Sequence, residues 1–373
     1  MKRLQYTVDF NTPAFLGNAQ QIGQWRSPPI KTLMRHWWRM LQGSAVQFDV
    51  DQLRADEGLR FGRASDNDKV RSLKSPIRLR LAPAWSVGQL RKDQWPKQFD
   101  SITTGAGQRV RADVYLGFGP ILPASKRDNR QTPELAQAAA LAPGDTATLT
   151  VICPDHFVQE VTQTLQLVHW FGTLGSRSRN GWGSITLTPQ GDTPPLDVLT
   201  ANHPLLQRIS RSLEQCLQEE WAHAIGISPE VPGKPLIWRS HTCGDWQEAV
   251  KILADTLYAV RSAAKGHKTH FRNRPVGALH LLGYPAGSNN SPWDLPVRDR
   301  NVRLASPLRF KVVKDGDQFR GVIFHTPSRP PERGFLEALQ DRQIAQWLRS
   351  PENLQQCWKT IHQALDAEHE RIA

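Results

Sequence analysis

Residues 27–41 read SPPIKTLMRHWWRML, and this stretch fixes the first helix of the fold. Its two prolines suit the first turn of a helix, and the apolar residues behind them recur with a helical period. At about 100° per residue, Lys31, Arg35 and Arg39 lie within about 80° of one another. The opposite side is apolar, and it consists of Leu33, Met34, Trp37 and Leu41. The stretch therefore predicts a helix with one face to bury and one cationic face.

Alternating and helical patterns surround this helix. Residues 4–10 alternate as a half-buried strand does. The later patterns predict strands near residues 76–81, 146–152 and 184–188, and a second helix that is capped by Asp155 and ends before Gly172. The order strand, helix, strand, strand, helix, strand is that of a ferredoxin-like domain. We assign this domain to residues 1–190, with an insertion at about residues 83–145 that carries a hairpin near residues 110–117.

The second half of the chain follows a proline- and glycine-rich linker at residues 189–204. Its patterns predict helical stretches at about 205–223 and 246–263, strands near 278–282, 308–313 and 320–325, and two closing helices. Lys314-Asp-Gly-Asp317 is a hairpin turn between two of these strands. We assign residues 205–373 to a second, more helical α+β domain.

Composition limits the class of protein. The 373 residues carry 47 Lys and Arg against 35 Asp and Glu, a formal net charge of +12. No apolar run approaches the ~20 residues that cross a bilayer, and the N-terminus lacks the apolar stretch of a signal peptide. The four cysteines form no C-x-x-C pair, so neither zinc nor a disulfide framework is indicated. We expect a cytoplasmic protein with no membrane partner, no metal and no cofactor.

The positive charge is concentrated in two windows without acidic residues. The first lies between Asp9 and Asp49 and the second between Asp255 and Asp294. The second window contains Lys265, Lys268, His270, Arg272 and Arg274 among other basic residues. Clustered cations of this kind favour a polyanionic partner such as nucleic acid.

A glycine-rich segment, GTLGSRSRNGWG at residues 172–183, follows the second helix. Glycines let a backbone come close to a ligand, and exposed N–H groups can bind phosphate oxygens. Arg177 and Arg179 add charge to this loop. A basic turn without a ligand is the alternative interpretation.

Three stretches resemble a known family: TPAFLG at 12–17, RSPPIKTLMRHWWR at 26–39 and GSRSRNGWG at 175–183. They are similar to the motifs of the RAMP superfamily of CRISPR proteins, most closely those of the first subunit of the Cmr (type III-B) effector complex. LASPL at 304–308 resembles a strand of the family's second domain. Asn18, Thr32, His36 and Asn180 depart from the usual residues.

The resemblance implies an α+β protein of two fused ferredoxin-like (RRM-like) domains, the second more helical. It also implies a non-catalytic, RNA-binding subunit that serves antiviral defence, with guide RNA, target RNA and other RAMP subunits as partners. We predict RNA contacts from the basic and glycine-rich motifs and from the second window: Trp25, Arg26, Lys31, Arg35, Arg39, Gly175, Arg177, Ser178, Arg179, Gly181, Gly183, Lys265, Lys268, His270, Arg272 and Arg274. Of these, Trp25 is the candidate for base stacking.

Two other functions remain open at the level of sequence. An endoribonuclease would need a general base beside cations, and His36 and His270 are candidates. A docking adaptor would use some of the 13 tryptophans to bind neighbouring subunits without touching RNA. Because the basic windows lack carboxylates and a lone histidine beside arginines more often binds phosphate, we expect no enzyme activity.

Overall fold

The computed structural model describes residues 1–65, 71–105, 107–286 and 291–373. It contains two compact units. The first unit comprises Met1–Leu199, Thr242–Lys251 and Lys311–Gly321, and the second comprises Thr200–His241, Ile252–Phe310 and Val322–Ala373. The assignment of domains to residues 1–190 and 205–373 stays a prediction.

The N-terminal 199 residues contain ten strands and four α-helices within their described part. In chain order these are β1 Lys2–Phe10, α1 Ser27–Gln42, α2 Val50–Phe61, β2 Arg78–Ala82, β3 Leu90–Arg91, β4 Ser101–Thr103, β5 Arg109–Arg111, α3 Ala112–Gly117, β6 Ile121–Leu122, β7 Glu134–Leu135, β8 Ala139–Ala140, β9 Thr146–Cys153, α4 Val158–Phe171 and β10 Ile185–Pro189.

The main sheet of the first unit has the order β10-β1-β9-β2. All its neighbours are antiparallel, with Val8 opposite Leu187 on one side of β1 and opposite Ala147 on the other. The even-numbered residues of β1 from Leu4 to Phe10 are almost fully buried, while the residues between them are not. The alternation that predicted this strand is thus present, and it marks the face on which the core forms.

Helices α1 and α4 pack together on this core. The ring of Trp37 stacks on Phe171 with centroids 5.1 Å apart. Trp38 is also buried, and its indole N–H donates to the Glu160 carboxylate. Both tryptophans of the α1 motif are therefore core residues of the first unit.

Residues 83–145 form small paired strands, as expected for an insertion: β3 with β8, β4 with β5, and β6 with β7. The predicted hairpin at residues 110–117 is wrong in its position. Only 109–111 form a strand, which pairs with 101–103, and 112–117 form helix α3. An apolar run this short does not distinguish strand from helix by its periodicity.

The rest of the chain supplies the second unit and the two later segments of the first. Its elements are α5 Pro204–Arg208, β11 Ser210–Ser212, α6 Leu213–Cys216, β12 Ile225–Ile227, β13 Ile237–Cys243, α7 Trp246–Gly266, β14 Lys268–Phe271, β15 Arg274–Gly277, α8 Ala278–Leu281, β16 Leu308–Asp315, β17 Gln318–His325, α9 Arg342–Arg349, α10 Pro351–Glu368 and β18 Glu370–Arg371. The larger sheet has the order β16-β17-β13-β18. The predicted α+β class is confirmed.

Two elements of this half differ from the sequence prediction. Residues 278–281 form the one-turn helix α8 and not a strand. All four are buried, so no alternation between polar and apolar residues was present to guide the assignment. The helical stretch predicted at 205–223 is broken, because Ser210–Ser212 pair with β12 as a parallel strand.

Lys311 is a buried cation in the first unit. Its side chain is 0% exposed, and its Nζ donates to the backbone oxygens of His169 at 2.6 Å and Ile185 at 2.7 Å. Burial lowers the pKa of Lys311 to about 7. The adjacent Val312 N–H donates to Ser184 Oγ at 2.8 Å, so this segment is held to α4 and β10 by polar as well as apolar contacts.

Candidate nucleic-acid interface

The cationic face of α1 forms as predicted, but a carboxylate from α2 enters it. Glu57 is 3% exposed, and its two oxygens accept hydrogen bonds from Arg35 and from Arg39. Burial opposes ionisation of Glu57, but the bonds from Arg39 and Arg35 outweigh it and lower the pKa of the carboxyl. The cationic face predicted for α1 is therefore present, and one carboxylate offsets part of its charge.

Lys31 lies at the start of this face, where its ammonium can contact an anion. It is half-buried and has no ion-pair partner among the described residues. Burial and the nearby Arg35 lower the pKa of its ammonium. The side chains of Arg35 and Arg39 are still 35% and 42% exposed, so both can reach an anion while they hold Glu57.

In the glycine-rich loop two arginines are exposed and two glycines are buried. Arg177 and Arg179 are exposed and Ser178 is half-buried. Gly181 and Gly183 are buried, and a Cβ on Gly183 would lie 1.8 Å from the Leu174 oxygen. The close approach of Leu174 accounts for the glycine at 183, and that the backbone of Gly181 and Gly183 lines an RNA path stays a prediction.

Gly175 plays the same part on the other side of the loop. Its φ is +97°, and a Cβ there would lie 2.8 Å from the Phe15 oxygen. Arg177 has a left-handed φ of +57°, and its Nε donates to the Phe118 oxygen at 2.7 Å. The loop is thus fixed by the chain on both sides of its exposed arginines.

The TPAFLG segment joins the other two motifs. Thr12 Oγ1 donates to the Gly181 oxygen at 2.7 Å, and Gly183 N–H donates to the Pro13 oxygen at 2.9 Å. At the far end of the segment, Arg26 Nη2 donates to the Gly17 oxygen at 2.7 Å. Three stretches are therefore brought together within the first unit, and the Thr12–Gly181 contact spans 169 residues of the sequence.

Trp25 does not offer a ring for stacking. It is 3% exposed, and its ring lies 5.0 Å from that of Phe10. The prediction of a stacking role for Trp25 is wrong, because the tryptophan just before α1 completes the core under β1.

Two exposed aromatic residues, which the sequence reasoning missed, lie beside the motifs. Trp85 is 62% exposed, and its backbone oxygen accepts a bond from Gln24 Nε2 at 2.7 Å, next to Trp25. Phe118 is 58% exposed and is the residue whose oxygen binds Arg177. In the sequence, each is a large aromatic residue that belongs to no periodic apolar pattern, and this is the signal that could have indicated an exposed ring. The name basic aromatic surface is used below for a set of exposed or half-exposed side chains of the first unit: Lys31, Arg35, Arg39, Trp85, Phe118, Arg177 and Arg179.

The second basic window lies in the second unit. Lys265 is exposed in the last turn of α7, and the four other residues of the predicted site are exposed on the β14–β15 hairpin: Lys268, His270, Arg272 and Arg274. Lys268 Nζ lies 5.6 Å from the centroid of the Trp293 ring. That these residues contact RNA stays a prediction.

A metal site, a catalytic histidine or a membrane-spanning helix would each indicate a different function. The described residues contain no group of three or more His, Cys, Asp or Glu that could hold a metal ion. The histidine ring of His36 packs edge-on against Trp37 with centroids 5.3 Å apart, and His270 is exposed. Within the same residues, no helix is long and apolar enough to cross a membrane.

Comparison with known proteins places these features beside solved structures. No protein-family model matches the chain, and neither does any curated protein. Among solved structures, the chain is similar to apo Cmr1 from Pyrococcus furiosus, with 15% identity and a TM-score of 0.45 over 95% of this chain and 97% of that one.

Two further similarities are to chains of type III-B Cmr-beta complexes. One complex is bound to cognate target RNA and AMPPnP in the presence of ssDNA (14% identity, TM-score 0.44, 98% of both chains). The other is bound to cognate target RNA (12% identity, TM-score 0.40, 97% of this chain and 100% of that one). In its sequence motifs and in these comparisons alike, the chain is similar to proteins of the type III-B Cmr complex.

Proposed function

We propose that this chain is an RNA-binding, non-catalytic subunit of a type III CRISPR ribonucleoprotein effector complex. It would hold the backbone of the guide RNA, the target RNA or both. The observation that carries the proposal is the meeting of the three motifs in the first unit. TPAFLG contacts the glycine-rich loop through Thr12 and Pro13, and it contacts Arg26, the residue before α1, through Gly17.

The basic aromatic surface supplies the contacts that a single RNA strand needs. Guanidinium and ammonium groups bind phosphates, and exposed aromatic rings stack on unpaired bases. Phosphate contacts carry no sequence information, and stacking accepts every base. A complex in which the guide supplies sequence by base pairing requires this kind of protein surface.

The architecture of the first unit supports the same proposal. Its sheet order β10-β1-β9-β2 with helices α1 and α4 is the arrangement of a ferredoxin-like domain. We extend this to two fused ferredoxin-like domains, with other RAMP subunits as neighbours and the cytoplasm as the compartment.

The proposal assigns no catalytic residue. A nuclease needs carboxylates that hold a metal, or a general base placed beside a stabilising cation. The ring of His36 lies edge-on against the ring of Trp37 on α1. The cations and exposed rings of the basic aromatic surface suit the binding of RNA, which supports the proposal.

The test is the salt dependence of RNA binding by the full chain. Contact with about four phosphates predicts a slope near −3 in log K against log salt, at about −0.7 per phosphate. The Arg177→Ala/Arg179→Ala double variant should lower the magnitude of that slope by about 1.4 and weaken binding to all sequences alike. The matched control is Arg333→Ala/Arg342→Ala, which removes two exposed arginines of the second unit.

Two results would overturn the proposal. Absence of RNA affinity together with stable association with other RAMP subunits would identify a docking adaptor. Cleavage of RNA, tested with and without EDTA, that is lost in His36→Ala or His270→Ala would identify an endoribonuclease.

A further inference from the structure

A cleft of about 670 Å³ in the second unit is lined by four arginines. They are Arg272, Arg274, Arg300 and Arg303, and the one carboxylate among the described lining residues is Asp294. All four arginines are exposed. Four guanidinium groups around one cleft repel each other, so an anion of several negative charges would be bound favourably there.

Two of the arginines are held in place by backbone oxygens. Arg274 Nη1 donates to the Asp294 oxygen at 2.6 Å. Arg303 Nη1 donates to the oxygens of Arg300 at 2.7 Å and Val302 at 2.8 Å. Each keeps further N–H groups for a ligand, and the tethers reduce the entropy lost when a ligand binds. The side chains of Arg272 and Arg300 have no partner among the described residues.

The turn of the hairpin puts an arginine where the backbone disfavours one. Arg272 and Asn273 have φ values of +47° and +69° and form the two-residue turn between β14 and β15. Such turns favour Asn and Gly at both positions. An arginine at the first position costs free energy in folding, and its side chain lies at the rim of the cleft.

Side chains alternate between the two faces of the β14–β15 hairpin, and this alternation limits which basic residues a ligand in the cleft can contact. Arg274 pairs with Phe271, while His270 pairs with Pro275, so Arg274 and His270 lie on opposite faces. Lys268 shares the face of His270. The cations of the second basic window are therefore divided, and the cleft receives Arg272 and Arg274 without the others. This favours a compact anion over a long nucleic-acid backbone.

The described lining of the cleft offers little aromatic surface to a base. Its one aromatic residue, Tyr284, is 5% exposed, and the Tyr284 hydroxyl donates to Asp294 Oδ1 at 2.7 Å. We propose that the cleft binds an oligophosphate group, of diphosphate or triphosphate size, through these four guanidinium groups and without recognition of a base. This site goes beyond the proposed RNA-backbone function and does not depend on it.

Calorimetric titration of the full chain with inorganic triphosphate tests the proposal. Arg300→Ala should weaken binding roughly 10-fold and Arg300→Ala/Arg303→Ala roughly 100-fold, the effect of one and two charge-assisted hydrogen bonds. The control Arg333→Ala/Arg342→Ala loses the same charge outside the cleft and should bind like the parent. Arg300→Ala keeps the test valid if loss of the Arg303 tethers disturbs the fold, which circular dichroism would reveal.

Two RNA competitors identify the source of the phosphate. A short RNA with a 5′-triphosphate should displace inorganic triphosphate, and the same RNA with a 5′-hydroxyl should not. Equal displacement by both RNAs would overturn the oligophosphate site in favour of a phosphodiester site. Equal triphosphate affinity in parent, cleft variants and control would overturn it altogether. Neither result depends on whether Arg177 and Arg179 bind RNA, so the two proposals can fail separately.

Discussion

Glu57 shows how one residue from a neighbouring helix changes a charged surface. Arg35 and Arg39 lie in a window without acidic residues, and Glu57 follows them by 22 and 18 positions. No local pattern connects them, because the pairing is made by the packing of α2 against α1. The direction of the α1 cations could be predicted from helical geometry, but their partial neutralisation could not.

Glu57→Gln should strengthen RNA binding several-fold at low salt. The amide leaves both guanidinium groups with their full charge, while loss of the ion pairs should lower stability by about 1–2 kcal/mol, since both arginines are partly exposed. RNA titration and urea denaturation measure the two effects. Asp51→Asn, at an exposed position of the same helix, is the control. Equal RNA affinities for Glu57→Gln and Asp51→Asn would contradict this role.

Substitution of Trp85 should weaken RNA binding, whereas substitution of Trp25 should lower the stability of the fold. Trp85→Ala removes an exposed ring and should weaken RNA binding by about 1–3 kcal/mol with no change in stability. Trp25→Ala removes a buried ring that packs on Phe10 and should destabilise the protein by about 3–5 kcal/mol. Fluorescence anisotropy with RNA and thermal unfolding measure these two quantities. A Trp85→Ala variant that binds RNA as the parent does would exclude the ring from the interface.

At the scale of elements, the glycine-rich loop is fixed by its neighbours. Gly183→Ala places a Cβ 1.8 Å from the Leu174 oxygen at a φ of +63°, and should destabilise the protein by about 3 kcal/mol or more. Gly191→Ala has a similar φ of +57° with no atom within 4 Å, so it should cost only about 1–2 kcal/mol. Urea denaturation of both variants measures the difference, which is the cost of the close approach alone. Equal losses would mean that the chain can move away from Gly183.

The elements that the sequence predicted well are those with a long, one-sided pattern. Strand β1 and helices α1 and α7 have a consistent period, and each was found within a few residues of its expected bounds. Elements buried on every side, such as α8, and short segments held by distant strands, such as β11, have no such pattern. Their conformation depends on contacts that only the folded chain provides.

The same distinction applies to the candidate site. Arg177 and Arg179 could be found because a short motif carries them, and the structure places both at an exposed turn. The predicted stacking role of Trp25 was wrong because a position next to Arg26 in the sequence does not determine whether the ring faces the solvent or the core. Trp85 and Phe118 come from an insertion, and only the fold brings them beside the motifs.

At the scale of the whole molecule, stability should depend on the titration of Lys311. The pKa of this side chain is about 7 in the folded protein against 10.5 in the unfolded chain. Between these values the unfolded chain holds a proton that the native protein lacks, so the free energy of unfolding should rise with pH, by up to about 1.4 kcal/mol per pH unit. Below pH 7 both states are protonated, and the full cost of burial is present.

Lys311→Met tests this dependence because it keeps the length of the side chain and removes the titrating group. Unfolding free energies from pH 7 to pH 9.5 should rise more steeply for the parent than for the variant. Curves that stay parallel over this range would show that Lys311 is charged in the native protein at all these pH values.

The burial of Lys311 also makes it a reporter of local opening. When the segment opens, the side chain meets water and its pKa returns toward the ordinary value of 10.5, so alkaline pH keeps part of the exposed amine unprotonated and nucleophilic. The side chain has no exposed surface, so an acylating reagent can reach it only when the segment leaves His169 and Ile185. The rate at which Lys311 is acylated, read by mass spectrometry, would therefore measure how often this part of the first unit comes apart under native conditions.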